Sequence, residues 1–386
     1  MPFYHRLGQL PPKRHQAMEK PGGGMHFEQL MGNKGFVGPS TLMYHLHYPT
    51  EVRDIRSRGD RRLVATEERE LRPRHLRTSG LSDGGSMVLD RVPLLFNADC
   101  ALYHARPDSD DDFFYRNGQA DELVYVATGE GSLHSQMGAI AVRAGDYVVV
   151  PRGIVHQWRF RGEAPRLLIT ESRGYVRTPE RYRNEFGQLI EGAPYGERDF
   201  RRPEELETFD EKGDFPVVTK QDDHLTEFVL DHHPFDVVGW DGYYYPFAFS
   251  IHDFEPKVGA YHLPPPVHQT FEGDGFVICS FCPRPYDFGD GAVPAPYFHS
   301  NVWSDEVIYY ASQEFMSRKG IEFGSITLHP DGLPHGPQPG RMEASIGAKW
   351  ADELAVMVDT FRPLRLAVEA REVEDRDYWK SWQSAE

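Results

Sequence analysis

Apolar residues in this chain occur in short runs, with no long helical stripe between them. Residues 40–48 alternate apolar and polar side chains, a pattern that indicates a half-buried strand. From residue 86 onward, strand-like runs recur between Gly or acidic turns, a spacing typical of a sandwich or barrel. These runs are residues 87–89, 92–96, 101–103, 122–126, 147–150, 235–240, 276–281 and 307–310. Because strands do not alternate with long helices, the pattern argues against a parallel α/β sheet and predicts an all-β fold with few short helices.

The character of the sequence changes along the chain and suggests four parts. Residues 1–90 are polar and broken by Pro and Gly, and we expect them to form a strand-rich N-terminal extension. Residues 91–175 are expected to form a first barrel, and residues 176–235 a polar connecting segment. Residues 236–386 are expected to form a second barrel and a C-terminal tail.

The composition narrows the classes of function. The 386 residues include 42 Lys and Arg against 59 Asp and Glu, a net charge of −17 with no Lys/Arg-rich block, which argues against a nucleic-acid partner. The 36 Gly and 30 Pro disfavour a helical bundle. The sequence contains no run of about 18 apolar residues, so we do not expect a membrane-spanning helix. The first residues also lack the profile of a secretory signal. With three Cys in the whole chain, we expect a cytoplasmic protein.

An internal repeat provides the strongest signal in the sequence. Residues 145–156 and 324–335 both follow the pattern G-x5-P-x-G-x2-H, which ends in His156 in the first copy and in His335 in the second. In this pattern a Gly turn starts a strand, Pro and Gly form the next turn, and the final His points inward. Four fixed positions in two places indicate a duplicated unit.

A second shared element lies upstream of each copy. His299 precedes Glu306 by seven residues, and Tyr115 precedes Glu122 by the same interval, with Tyr where the second copy has His. The two elements together resemble the two sequence motifs of the cupin superfamily, and their duplication resembles a bicupin. The resemblance implies two small jelly-roll (double-stranded β-helix) barrels, whose motif residues converge on a metal inside the barrel.

The second copy has the residue types of a transition-metal site. His299, Glu306 and His335 supply two imidazoles and one carboxylate, and a barrel can bring them to one face of a cation. Such a set leaves about three octahedral positions open and suits Fe(II), although Zn, Mn and Ni also use such sites. In the first copy only Glu122 and His156 remain, so we expect a metal-free barrel, with a weak second site as the alternative.

Longer segments resemble one family, the homogentisate 1,2-dioxygenases. They are residues 1–8, 234–242, 296–301 and 334–337. The resemblance implies an Fe(II) enzyme that converts homogentisate and O2 to maleylacetoacetate in tyrosine and phenylalanine catabolism. It also implies a small aromatic acid as substrate and a homo-oligomer, a trimer or a hexamer.

The same resemblance assigns roles to further residues. His299, Glu306 and His335 match the family's iron ligands. His329 matches a histidine that contacts the substrate, and Tyr297, two residues before the first ligand, is expected to contact it as well. The remaining assignments concern the acid/base and the substrate pocket: His262 matches the family's acid/base by alignment, His268 is its rival, and Phe315 stands where the family has a substrate-contacting Tyr.

Two departures from the family leave the substrate open. Ser300 replaces an Arg that follows the first ligand, and Phe315 replaces a Tyr. One alternative is therefore a cupin dioxygenase acting on another hydroxylated aromatic acid such as gentisate. The other comes from a different class: a non-oxidative bicupin, such as a Zn isomerase or a metal-free binding protein.

Overall fold

The computed structural model describes residues 3–82, 84–260, 263–286, 289–313 and 315–383, and these residues consist mainly of strands. They form 25 strands, one five-residue α-helix and several short 3-10 helices, so the all-β prediction is confirmed. None of the described helices is long and apolar enough to cross a bilayer.

The elements, in chain order, are β1 His5–Gly8, β2 Phe27–Gly32, β3 Ser40–His45, β4 Asp54–Asp60, β5 Arg74–Arg77, β6 Val92–Phe96, β7 Cys100–Ala105, β8 Phe114–Asn117, β9 Asp121–Ser135, β10 Gly138–Arg143, β11 Asp146–Val150, β12 His156–Ser172, β13 Phe200–Arg201, β14 Lys212–Gln221, β15 His224–His232, β16 Val237–Gly242, β17 Phe247–Ser250, β18 Gln269–Gly273, β19 Phe276–Phe281, β20 Arg284–Pro285, β21 Asp305–Tyr310, β22 Ser325–His329, α1 Arg341–Ser345, β23 Trp350–Ala351, β24 Ala355–Thr360 and β25 Arg365–Leu366.

Two large sheets form the two barrels. The first sheet has the order β13-β17-β11-β9-β12-β8-β14-β15-β4, with β6, β7, β10 and β25 attached to it. Its centre is the antiparallel pair β9 and β12, whose register runs from His156 opposite Ser135 to Ser172 opposite Asp121. The second sheet has the order β18-β19-β24-β21-β22-β5. Its strands β21, β22 and β24 are almost completely buried, and they carry the candidate site.

The two barrels share one hydrophobic core. Tyr125 of β9 packs edge-on against Tyr309 of β21, with ring centroids 6.0 Å apart. The Tyr147 ring lies 5.7 Å from Phe271, and its hydroxyl is 2.8 Å from Ser280 Oγ. Contacts of this kind keep the barrels in a fixed relation, because close-packed interiors resist small displacements.

Strands near both ends of the chain pair with strands of the two large sheets. β5 pairs with β22 of the second sheet, while β4 pairs with β15 of the first. β1, β2 and β3 form a separate four-stranded sheet with β16. β25, near the C-terminus, pairs with β6. The four-part division of the chain, with limits at residues 90, 175 and 235, remains a prediction.

The glycines of the internal repeat have a shared conformation. Gly145 and Gly153 in the first copy have φ of +90° and +86°, and Gly324 and Gly332 in the second have +84° and +76°. L-residues with a Cβ rarely adopt this left-handed region. At Gly324 a Cβ would also lie 2.8 Å from Thr78 Oγ1. The motif therefore requires glycine at these positions for backbone reasons.

Candidate metal centre

Three side chains from separate elements meet at one end of the second sheet. Glu306 is the second residue of β21, and His299 lies in the segment that precedes this strand. His335 lies in the turn that follows β22. The backbones of His299 and His335 form an isolated antiparallel bridge, in which each N–H donates to the other residue's carbonyl, at 2.9 and 2.8 Å. This bridge places the two imidazoles side by side, opposite Glu306.

The ligand-type atoms of these residues converge. One atom each from His299, Glu306 and His335 lie within 4.8 Å of one another. His299 Nε2 is 3.7 Å from Glu306 Oε2, and His335 Nε2 is 3.6 Å from Glu306 Oε1. The two imidazole centroids are 4.3 Å apart. The structure thus brings together the three residues that the sequence singled out as ligands.

Hydrogen bonds select the tautomer of both imidazoles. His299 Nδ1 donates to the Tyr297 carbonyl and His335 Nδ1 to the Leu333 carbonyl, each at 3.1 Å. Because a carbonyl can only accept, the proton lies on Nδ1 and the Nε2 lone pair is free. Both Nε2 atoms are buried and have no hydrogen-bond partner among the described residues. Two orphaned imidazole nitrogens and a carboxylate that face one point fit a divalent transition metal.

The carboxylate is in its charged form. Burial alone would raise the pKa of Glu306, but the adjacent imidazoles of His299 and His335 and the hydrogen bond from His329 outweigh burial and place the pKa well below its usual range. The interaction with Glu306 in turn raises the pKa of His299, against the effect of burial. Asp359 lies opposite Glu306 on the neighbouring strand β24. Burial, and then the nearby Glu306, raise the pKa of Asp359 well above its usual value, which favours a protonated carboxyl.

His329 lies behind the carboxylate. Its Nδ1 is 2.8 Å from Glu306 Oε1, and its Nε2 is 3.3 Å from Arg318 Nη2. Since an arginine can only donate, the His329 Nε2 accepts and the Nδ1–H donates to Glu306. Burial, and then Arg318, lower the pKa of His329 to about 4, so the ring is neutral. Both ring nitrogens are thus engaged within the protein; the substrate contact expected for His329 stays a prediction.

A cavity with a volume of about 140 Å³ opens next to the three residues. His299 and Glu306 line it, together with Phe315 and His268. Phe315 packs edge-on against Tyr310, at 5.0 Å. The other apolar lining residues include Phe281, Ile308 and Met357. The cavity therefore combines ligand-type groups on one side with an apolar wall of the kind that accepts an aromatic ring.

The remaining predicted site residues have different environments. His268 is buried, its Nδ1 has no partner among the described residues, and burial, followed by Arg284, lowers its pKa to about 3. His262 lies outside the described residues. Tyr297 is 52% exposed, and its ring meets that of His299 edge-on at 6.0 Å. The roles of these three residues stay predictions.

The equivalent position in the first barrel has a different occupant. His156 repeats the arrangement of His335, since its Nδ1 donates to the Ile154 carbonyl at 3.0 Å. Glu122, however, accepts from Arg91 Nη1 at 2.9 Å, and the Arg91 guanidinium lies over the Tyr115 ring at 5.4 Å. Arg91 and Glu122 are both buried. A protein cation thus neutralises the carboxylate in this barrel.

Sequence reasoning missed three polar residues near these sites. Asp359 could have been noticed as a lone acid in the otherwise apolar and hydroxyl-bearing strand β24. Arg318 follows a serine in an irregular loop, and no sequence pattern indicates that it is buried. Arg91 precedes β6 and has no motif either.

Comparison with known proteins gives the family. Residues 97–251 match the family described as Homogentisate 1,2-dioxygenase N-terminal, and residues 264–386 match Homogentisate 1,2-dioxygenase C-terminal. The chain belongs to the homogentisate 1,2-dioxygenase family. This membership confirms the resemblance noted from the motifs, and it makes the protein a member of a family of metal-dependent dioxygenases, which use a small-molecule substrate and O2.

Individual proteins that are similar to this chain have different names. A protein of Saccharolobus solfataricus named "Putative dioxygenase SSO1533" is 42% identical over 99% of both chains. A homogentisate 1,2-dioxygenase of Legionella pneumophila is 25% identical over 97% of this chain and 94% of its own. A solved structure, a cupin 2 conserved barrel domain protein from Leptotrichia buccalis, has a TM-score of 0.36 and 8% identity, covering 78% of this chain and 100% of its own.

Proposed function

We propose that the protein is an Fe(II)-dependent dioxygenase that opens the ring of homogentisate to give maleylacetoacetate. The observation that carries the proposal is the convergence of His299, Glu306 and His335, with both Nε2 atoms buried and without a partner. Two imidazoles and one carboxylate form the facial set typical of non-haem Fe(II) oxygenases, which keep positions open for substrate and O2. A ferrous ion bound there would supply the redox chemistry of O2 activation.

The cavity residues have separate tasks in this proposal. Phe315 and its apolar neighbours enclose the aromatic ring and limit the access of water. A neutral histidine accepts the proton of the hydroxyl that is remote from the ligands, which makes the ring electron-rich. His268 is neutral and presents a buried Nδ1 without a partner, while His262 is the candidate favoured by alignment.

A second substrate remains a candidate. Phe315 lines the cavity with a phenyl ring, where the family resemblance leads one to expect a tyrosine hydroxyl. The loss of that hydroxyl removes one hydrogen bond to the substrate and favours a different hydroxylated aromatic acid, such as gentisate. The relative with 42% identity is named only as a dioxygenase and does not favour either acid.

The test uses matched histidines of the two repeats. The protein is loaded anaerobically with Fe(II), and O2 uptake is measured with homogentisate and gentisate in parallel. We expect ring cleavage of homogentisate by the wild type, loss of bound iron and turnover in His335→Ala, and retention of both in His156→Ala. Turnover that survives in His335→Ala would overturn the ligand assignment, while uptake with gentisate alone would select the second candidate. The expected trimer or hexamer is tested separately by light scattering.

A further inference from the structure

The cavity wall contains a buried arginine without a carboxylate partner. Arg318 is 4% exposed. Its Nη1 donates to the Gly336 carbonyl at 2.6 Å and contacts Ser317 Oγ at 3.3 Å. Its Nη2 contacts His329 Nε2 at 3.3 Å, and its guanidinium lies 5.5 Å from the centroid of the Trp382 ring. All these partners are neutral.

A buried charge of this kind needs an explanation. Charged side chains in protein interiors are normally paired, because removal from water costs several kcal/mol per ion when no opposite charge compensates it. Glu306 attracts Arg318 only at longer range, with His329 between them, and among the described residues no Asp or Glu forms an ion pair with the Arg318 guanidinium. The Arg318 Nε–H is buried and has no acceptor there either.

Arg318 differs in this respect from the other two cations of the cavity. Arg284 donates to Glu353 Oε2 at 3.1 Å and is therefore already paired. Lys257 is exposed to solvent. Arg318 lines the cavity together with the candidate ligands His299 and Glu306. It is thus a buried cation with an unused donor, next to the position of the reacting group.

We propose that Arg318 binds the carboxylate of the substrate and orients the aromatic acid in the cavity. This inference rests on the proposed function. A carboxyl group is ionised at neutral pH, whereas a free phenol with a pKa of about 10 is not, so the carboxylate is the permanent anion that such a substrate offers. Arginine is also the cation best suited to a carboxylate, because its planar donors match the two oxygens. Arg318 is accordingly a residue that determines specificity for acids.

The experiment compares an acid with a neutral analogue. Homogentisate and methylhydroquinone, which has a methyl group in place of the acetate arm, are titrated anaerobically into Fe(II)-loaded protein by calorimetry, and KM and kcat are measured in air. We expect the wild type to bind the acid at least about 10-fold more tightly than the analogue, as one charge-assisted pair provides. In Arg318→Gln, affinity and KM for the acid should worsen about 10- to 100-fold, with the analogue nearly unchanged. Arg318→Lys should recover part of the preference.

Controls separate the possible outcomes. Bound iron is measured first, and Arg284→Gln serves as the matched variant of the paired cation. Equal loss for acid and analogue in Arg318→Gln would assign Arg318 a structural role only and overturn the proposal. So would an acid-selective loss confined to Arg284→Gln, or equal wild-type affinity for both compounds. A wild type that neither binds the acid nor consumes O2 would instead overturn the proposed function, so the two failures can be told apart.

Discussion

Arg91 and Glu122 form a buried ion pair in the first barrel, with Arg91 Nη1 2.9 Å from Glu122 Oε1. Glu122 holds the same place in its repeat as Glu306 does in the second, where histidines surround the carboxylate. Arg91 also lies 3.5 Å from Glu171, so one guanidinium faces two acids. Both acids thus have an internal counter-charge, and the first barrel does not need a metal for neutrality.

The first prediction concerns metal content. Because the Arg91 guanidinium compensates Glu122, we expect one metal ion per chain, bound by the second barrel. Elemental analysis of Fe-loaded protein measures this number, and two ions per chain would contradict the prediction. Arg91→Met should cost about 3–5 kcal/mol of unfolding free energy, because it leaves the buried Glu122 carboxylate uncompensated, whereas Glu171 keeps its ion pair with Lys220. Adding Glu122→Gln to Arg91→Met should restore part of the loss, as a double-mutant cycle in denaturant can show.

A second prediction concerns the repeat glycines. Gly332 has a φ of +76° and Gly153 a φ of +86°, and nothing lies within 4 Å of a Cβ built on either residue. Alanine at each position should therefore lower the free energy of unfolding by about 1–2 kcal/mol, which is the cost of a left-handed backbone conformation for a residue with a Cβ. Metal affinity should weaken in Gly332→Ala, whose turn leads to His335, and stay constant in Gly153→Ala. Equal metal affinity in both variants would show that the turn does not position the ligand.

The repeat explains why the core of the site could be predicted. Gly324, Gly332 and His335 belong to one local turn-strand-turn unit, in which residue type fixes the backbone and the direction of the last side chain. Local physics of this kind is visible in the sequence. Such reasoning located Glu306 and His299 as well, because their spacing recurs in the first copy with Tyr115 and Glu122.

Features that depend on distant parts of the chain could not be predicted. β5, Arg74–Arg77, is a polar four-residue strand without alternation, and only the folded chain shows that it pairs with β22. The position of Arg318 depends on the path of an irregular loop. The engagement of both His329 nitrogens depends in turn on Arg318 and on the register that sets Glu306 opposite His329. Sequence spacing carries no information on such encounters.

The third prediction concerns His329. Its Nδ1–H donates to Glu306 at 2.8 Å, and groups that orient a metal ligand in this way typically change metal affinity 10- to 100-fold when removed. We expect His329→Phe to weaken Co(II) affinity by about that factor, as measured by anaerobic titration of the Co(II) absorption. A raised KM with unchanged metal affinity would instead support the substrate contact expected from the family resemblance.

The fourth prediction separates the two candidates for the acid/base. His268 faces the cavity with a lowered pKa of about 3, so it is a weak base that accepts a hydrogen bond in its neutral form. We therefore expect His262→Ala to reduce kcat about 100-fold or more, the usual contribution of a general base, with iron retained. His268→Ala should reduce kcat less and mainly raise KM. The reverse order of the two kcat values, measured in parallel, would transfer the base assignment to His268.

The last prediction concerns the pH dependence of stability and a histidine far from the cavity. His104 is buried in β7, and burial, then Arg106 and Arg166, lower its pKa to about 3. Between this value and the ordinary pKa of about 6.5, the unfolded chain binds a proton that the folded chain does not, so stability falls as the pH decreases through this window. One such group changes the free energy of unfolding by at most about 1.4 kcal/mol per pH unit. Because the slope at pH 6.5 is only half of this maximum, the change between pH 6.5 and pH 5 is about 1.6 kcal/mol. His104→Gln should remove this part of the slope in urea unfolding of the metal-free protein, compared with the wild type under the same conditions. If His104→Gln and the wild type lose stability in parallel as the pH decreases, His104 is protonated in the folded chain and its environment is not the one described.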